Sequence, residues 1–500
     1  MSRLNPLDLT HIRERIGQNL SRKDLVNCLR INAEWHHFFL PEIWSIIDVH
    51  PPWDYNEPQP PPYNDIENIA QHQHYIRSMS QSAQYFLDNY PTLTFPNLEH
   101  LRVYLEQQCI FSSGLLLNHP RLTRLELIGI PSRAKSFSWE PLVQLPTLTH
   151  LCLKKISVDI SQDKNFWITC STLESLELQG NSLLGETSSV ATILIHLTFP
   201  KMKAFHMVSE TTLSQEMQLL WFTRCPHLTS IEWITSQPRY QLRMDRMTKQ
   251  FVRQTIARTW SNLQELMVEN LHLSDEQIAM VIRHLCRVKK LNLAQDSFGP
   301  RAYEALHPHF PFIEELVINS DPDIPGFDSS PFLVNILVSC TQLKTLLTES
   351  IRGCDILTSP QRWACEKSLT ALGAYIEVPQ GSWVQERQHE IFERLSHLTN
   401  LTMLDLSDEH HHMTEETLTL TLKTGLGHLA RCTRIKDFVF SGTQQCMTNI
   451  EVQWMIEHWK DLELVTGELH PHGTVCVALE EKLKRHGVSV YIYAFEYPGY

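Results

Sequence analysis

The chain holds little of what most enzymes need. Gly is scarce, 17 in 500 residues, about half the usual frequency of roughly 7%. That weighs against the glycine loops that cradle nucleotides. No Gly-x-x-x-x-Gly-Lys loop, Gly-x-Ser-x-Gly elbow or His-Glu-x-x-His pair occurs. Gly425, Gly427 and Ala430 match the letter of a dinucleotide fingerprint, but they lie in a helical pattern rather than after a strand. The 12 Cys never form Cys-x-x-Cys, so reduced and mostly buried thiols are expected. His410-His411-His412 reads as a solvated loop, since consecutive side chains do not converge easily on one ion. Neither a cofactor nor a metal is expected. No apolar run approaches the roughly 18 residues that a membrane helix requires. The first twenty residues lack a secretory apolar stretch, so a cytoplasmic or nuclear setting is expected. Positive charge is short as well: 43 Lys and Arg against 56 Asp and Glu give a net charge of −13. Nucleic acid and anionic membrane surfaces are therefore poor partners.

What the chain does have is leucine, 67 residues of it, arranged in a repeat. The pattern is apolar-x-x-apolar-x-apolar, as in Leu98-x-x-Leu101-x-Val103. It recurs in 14 copies, opening at Leu98, Leu122, Leu148, Leu173, Met202, Leu228, Leu263, Val288, Ile313, Leu343, Leu369, Leu401, Ile435 and Leu462. The spacings run from 24 to 35 residues with a mean of 28. The second and third positions fall on one face of a short strand, and the first turns inward just before it. The intervening residues return the chain on the opposite side. Ser274-Asp275-Glu276-Gln277 is a capping box followed by Ile278, Val281, Ile282 and Leu285 at helical spacing. Phe332, Ile336 and Leu337 predict a second helix, and Leu418, Leu422, Leu426 and Leu429 a third.

This unit resembles a leucine-rich repeat. The resemblance implies an α/β solenoid, a leucine-rich-repeat horseshoe with short parallel strands on the concave face and helices on the convex face. Cys170, Cys225, Cys286, Cys340 and Cys432 stand two or three residues before a repeat, as in the cysteine-containing class, and are expected to pack there. The Asn that usually ladders the turn is present only as Asn181, so an irregular solenoid is expected. Long gaps mark insertions, among them Gln237–Gln250 and Asp408–Met413. Val488 to Tyr493 alternates like a closing strand.

The repeats do not reach the first fifty residues. Apolar positions there have helical spacing in short segments, broken at Ser21-Arg22-Lys23-Asp24, with Ser21 or Asp24 as a cap. They outnumber what so small a module buries alone, which points to a partner face. Asn5-Pro6-Leu7-Asp8-Leu9, Ile12, Ile16, Leu20, Asp24-Leu25, Cys28-Leu29, Trp35 and Leu40-Pro41-x-x-Trp44 resemble an F-box. Its opening departs from the family pattern, with Thr10 in place of Pro and Ile31 where Val precedes Trp. Joined to leucine-rich repeats, the segment looks like that of substrate receptors in SCF-type ubiquitin ligases. The resemblance implies no catalysis by this chain. It implies docking of a Skp-family adaptor, and through it a cullin, by Pro6, Leu7, Ile12, Ile16, Leu20, Leu25, Leu29, Ile31 and Trp35. The alternative is a leucine-rich-repeat interaction scaffold with no ligase role. The expected organisation is residues 1–50 as the helical module, 51–92 as a Pro-rich linker with a degenerate capping repeat around Tyr75–Met79, and 93–500 as the solenoid.

The repeat register also places charge. Positions two, four and six after each opening residue point out of the concave face. Over 14 copies they hold 4 bases and 10 acids, a net of 4 − 10 = −6, almost half of −13. Arg102, Arg124 and Lys154 lie in the first three copies, whereas Lys290 is the one base from the sixth onward. Glu232, Glu265, Glu269, Glu315, Glu349, Asp405 and Asp437 are the expected target-binding residues, suited to a basic segment of a partner protein.

Overall fold

The computed structural model describes residues 10–48, 66–82, 93–105, 116, 118–129, 139–156, 158–160, 164–180, 183–184, 187–209, 215–235, 259–269, 273–320, 327–378, 384–407, 417–441 and 445–491. The chain divides into two compact units, Met1–Leu228 and Thr229–Tyr500.

The first unit opens with three helices, α1 (Thr10–Asn19), α2 (Arg22–Cys28) and α3 (Ala33–Ser45). Ser21 caps α2 by accepting from the Asp24 N–H, and Asn32 caps α3 by accepting from the Trp35 N–H at 2.8 Å. The buried Arg13 ties α1 to α3, reaching Glu34 at 2.5 Å and lying 5.6 Å over the Phe38 ring. Nine parallel strands follow among the described residues: seven in the main ladder, Ile46–Asp48, Ser78–Ser82, His100–Leu105, Arg124–Gly129, His150–Lys154, Ser175–Gln179 and Ala204–Ser209, and the separate pair Val158–Asp159 and Leu183–Leu184. The first corrects the expected organisation. Ile46–Asp48 lies inside the segment read as purely helical, yet it pairs with Ser78–Ser82 and buries Ile47. The degenerate repeat at Tyr75–Met79 buries Ile76 and Met79 like any other copy.

The second unit contributes ten parallel strands among the described residues. They are Ser230–Thr235, Glu265–Glu269, Lys290–Phe298, Glu315–Ser320, Thr345–Arg352, Ala371–Glu377, Met403–Leu406, Asp437–Phe440, Leu464–Thr466 and Ser489–Tyr491. The last is the closing strand expected from Val488 onward. Each unit is an α/β leucine-rich-repeat solenoid, because consecutive repeats place equivalent residues in register: Leu266 pairs with Leu291, Leu291 with Leu316 and Leu316 with Leu346. All three apolar positions of every copy are buried except Thr348. No helix among the described residues is long and apolar enough to cross a membrane.

A fourth inward position lies three residues before the opening residue in every copy except the one opening at Leu369, where Cys365, four before, is the buried residue. Phe95, Leu145, Phe199, Trp260, Phe310, Leu398 and Trp459 fill it alongside Cys170, Cys225, Cys340 and Cys432. Cys286 is a correction: it is exposed, because the inward position before Val288 belongs to Leu285. Threonine hydroxyls join adjacent repeats at the entry to the strands. Thr123 Oγ1 donates to the Glu99 carbonyl at 3.1 Å, and Thr370 Oγ1 to the Lys344 carbonyl at 3.0 Å.

The predicted capping box holds: Asp275–His284 is a helix, and the Ser274 N–H donates to Gln277 Oε1 at 2.9 Å. Ser330–Ser339 is also helical, as expected. The third helical reading needs correction. Leu422–Thr424 and Leu426–Arg431 form two short 3₁₀ segments, broken by Gly425 at φ +115°. Asn181, the insertion at 237–250 and His410–His412 lie outside the described residues.

Candidate protein-interaction surfaces

The helical module folds around Leu25, Phe39 and Ile43, with Ile16, Leu20, Cys28, Leu29, Trp35, Phe38 and Trp44 packed against them. Five of the residues expected to meet an adaptor, Ile16, Leu20, Leu25, Leu29 and Trp35, are therefore gathered into one cluster. Within it Leu25 is buried, so its side chain serves the core of the module rather than an outward contact. Ile12 is half-buried, and Pro6 and Leu7 lie outside the described residues. Ile31 stands apart: it is 56% exposed, on the turn between α2 and α3. Sequence spacing missed Val26, which is 38% exposed. Its neighbour Leu25 points into the core, and one helical step turns Val26 about 100° away.

The open face of the sheet in the first unit is a closed ionic network. Glu126 is buried, yet Arg102 Nε reaches its carboxylate at 2.7 Å and Lys154 Nζ at 3.0 Å. Burial alone raises the Glu126 pKa, but the bonds from Arg102 and Lys154 outweigh it and the net shift is downward. Lys154 also lies 3.9 Å from Glu177, to which Gln179 donates. Two of the three bases assigned to this face thus serve its own acids.

In the second unit Glu265, Lys290 and Glu315 stand side by side on adjacent strands. Lys290 Nζ lies 3.6 Å from Glu265 and 3.3 Å from Glu315. Two of the seven expected target-binding acids are thereby partly neutralised within the fold. Glu349 is displaced from the regular row, because the pairing of its strand shifts between Leu347 and Ser350. Asp405 sits between Gly373 and Val439 and accepts from the Ser407 N–H and hydroxyl at 2.8 and 2.5 Å. Asp437 sits between Met403 and Leu464. Glu232 and Glu269 are half-buried on the strands Ser230–Thr235 and Glu265–Glu269, in register with Met267 and Ile234. The charge count overlooked the apolar part of this face. Val317 and Leu347 are adjacent, and Met403, Val439 and Leu464 surround the two aspartates, all half-exposed. This part of the face thus mixes carboxylates with half-exposed apolar side chains.

No family model and no curated protein matches the chain. Solved structures with some likeness include a leucine-rich-repeat protein of Leptospira interrogans, 14% identical, covering 84% of this chain and 91% of that one with a TM-score of 0.42. The yeast Rad7 and Elc1 complex is 14% identical, covering 93% of each chain with a TM-score of 0.42. The leucine-rich-repeat ectodomain of a plant membrane receptor kinase from Arabidopsis thaliana is 12% identical, covering 91% of this chain and 53% of that one with a TM-score of 0.32. On its own strand register and buried repeat positions, the chain is an α/β leucine-rich-repeat solenoid.

Proposed function

We propose that the chain is a non-catalytic substrate receptor of an SCF-type ubiquitin ligase. The helical module, α1 to α3, docks a Skp-family adaptor and through it a cullin. The open face of the sheet holds a target protein. The observation that carries this reading is that Val26 and Ile31 are both exposed on a small helical module whose core gathers Leu25, Phe39 and Ile43. Apolar side chains left in water there are available to a partner surface. On this reading Ile12 and Ile31 contact the adaptor, while Ile16, Leu20, Leu25, Leu29 and Trp35 set the module's shape. The chain contributes proximity, raising the effective concentration of target lysines near a charged conjugating enzyme.

The test is co-purification with a Skp-family adaptor. Ile31→Asp is expected to abolish it while leaving the circular dichroism and melting of the chain unchanged, because Ile31 is already in water. Leu25→Asp is expected to lose both binding and the helical module. Full adaptor binding by Ile31→Asp and Val26→Asp together would sink the proposal.

A further inference from the structure

Sequence spacing offers no metal-ligand motif, and among the described residues no group of three or more His, Cys, Asp and Glu is arranged to hold an ion. The fold nevertheless brings two histidines 39 residues apart face to face in the second unit. His389 is on the helix Val384–Leu395, and His428 is on the 3₁₀ segment Leu426–Arg431. His389 Nδ1 lies 3.4 Å from His428 Nε2, with the rings perpendicular and the pair open to solvent.

His389 Nε2 lies 2.9 Å from the Lys423 carbonyl. A carbonyl only accepts, so this nitrogen carries the proton and Nδ1 carries the lone pair. Fixing a histidine through a backbone carbonyl on its far nitrogen is the usual device for aiming the near nitrogen at a metal. The 3.4 Å separation is at the long end for a hydrogen bond between the two rings, beyond the roughly 2.7–3.2 Å usual for N–H···O bonds. With Zn–N bonds of about 2.0–2.1 Å, the same separation subtends about 110° at an ion, close to the tetrahedral angle. The backbone holds the pair together. Gly425 takes φ +115°, and a Cβ there would meet His389 Cα at 2.9 Å and His389 Nδ1 at 3.2 Å.

We propose that His389 Nδ1 and His428 Nε2 form a two-point site for a divalent transition ion of the zinc, nickel or copper class, completed by water. Neutral imidazoles favour these ions over Mg²⁺ and Ca²⁺, which take oxygen ligands. Binding requires His428 to hold its proton on Nδ1 and present the Nε2 lone pair, a change of tautomer in which no proton is released. The ion joins the helix of one repeat to the return segment of the next and stabilises that junction.

The full chain is titrated at neutral pH with ZnCl₂, NiCl₂ and MgCl₂, followed by calorimetry and melting temperature. Zn²⁺ and Ni²⁺ are expected to raise the melting temperature, and Mg²⁺ to leave it unchanged. His428→Gln, at an exposed position, and His389→Gln are each expected to weaken Zn²⁺ binding by about tenfold or more. Nitrogen hyperfine structure from two imidazoles is expected in the Cu²⁺ electron paramagnetic resonance spectrum of the wild type, and from fewer in either variant. Unchanged binding or unchanged spectra in both variants would place the metal on other histidines and overturn the proposal. So would the absence of any Zn²⁺-dependent shift.

Discussion

Single residues in this chain carry consequences that the repeat pattern alone conceals. His119 occupies the fourth inward position, where other copies use Phe, Leu, Trp or Cys. Its Nδ1 accepts from the Phe95 N–H, and burial lowers its pKa from 6.5 to about 4. Below pH 6.5 the unfolded chain takes up this proton first, so folding loses stability as the pH falls toward 4. The loss amounts to about 3 kcal/mol for this one group, at roughly 1.4 kcal/mol per pKa unit. Burial also lowers the His309 pKa and adds to the trend. Urea unfolding from pH 7 to pH 4 measures it, and His119→Leu is expected to flatten the curve. Glu126 makes the opposite kind of claim. Its carboxylate is buried between two cations that are themselves about a third exposed. Glu126→Gln is expected to cost about 1–2 kcal/mol, because Arg102 and Lys154 can turn to water once the charge is gone. A melt that shows no change would mean that the network only balances its own desolvation.

At the scale of elements, departures from the repeat consensus are informative. Gly467 stands where the third apolar residue of the last copy belongs. It has φ +142°, and a Cβ there would lie 2.5 Å from the Phe440 carbonyl oxygen and 2.6 Å from its ring. The Phe440 side chain of the preceding repeat already occupies that space. Restoring the consensus by Gly467→Leu is therefore expected to destabilise the chain, by about 3 kcal/mol from overpacking and backbone strain together. A thermal melt that rises instead would refute this packing account. Gly425 breaks the expected third helix for the same reason, close approach of a neighbouring element. Cys286 shows how far a one-residue offset matters: beside the inward Leu285 it faces water, while burial pushes the thiols of Cys340, Cys365 and Cys432 up to about 12. Thiol labelling of the native chain is expected to modify Cys286 and Cys446 first and to leave those three untouched until unfolding.

At the scale of the whole molecule, the net charge of −13 is not a uniform property. Part of it is answered locally, by Lys154 and Arg102 at Glu126 and by Lys290 at Glu265 and Glu315. The acids interleaved with apolar side chains, Asp405 and Asp437 among Met403, Val439 and Leu464, therefore carry more of any attraction for a basic target. Asp405→Lys with Asp437→Lys is expected to weaken target capture more than Glu265→Lys with Glu315→Lys, with the gap narrowing at high salt. Equal losses from the two pairs, measured on one affinity-purified target, would contradict that ranking.

The sequence by itself determined the repeat: its period, the three core positions of 14 copies, the capping box at Ser274 and the closing strand all follow from local periodicity. Periodicity reports which way a side chain points along its own strand or helix, and a stack of equivalent units reuses that direction. It does not report what stands opposite. Only the tertiary structure decided that Leu25 turns inward while Val26 and Ile31 turn out, and that Lys290 is shared by two acids. The same holds for Glu349 slipping out of its row and for His389 meeting His428. Each depends on residues distant in sequence being brought within a few ångströms, from 14 positions for Leu25 and Phe39 to 39 for the two histidines. In the solenoid the offset between repeats sets that distance, which local periodicity does not report.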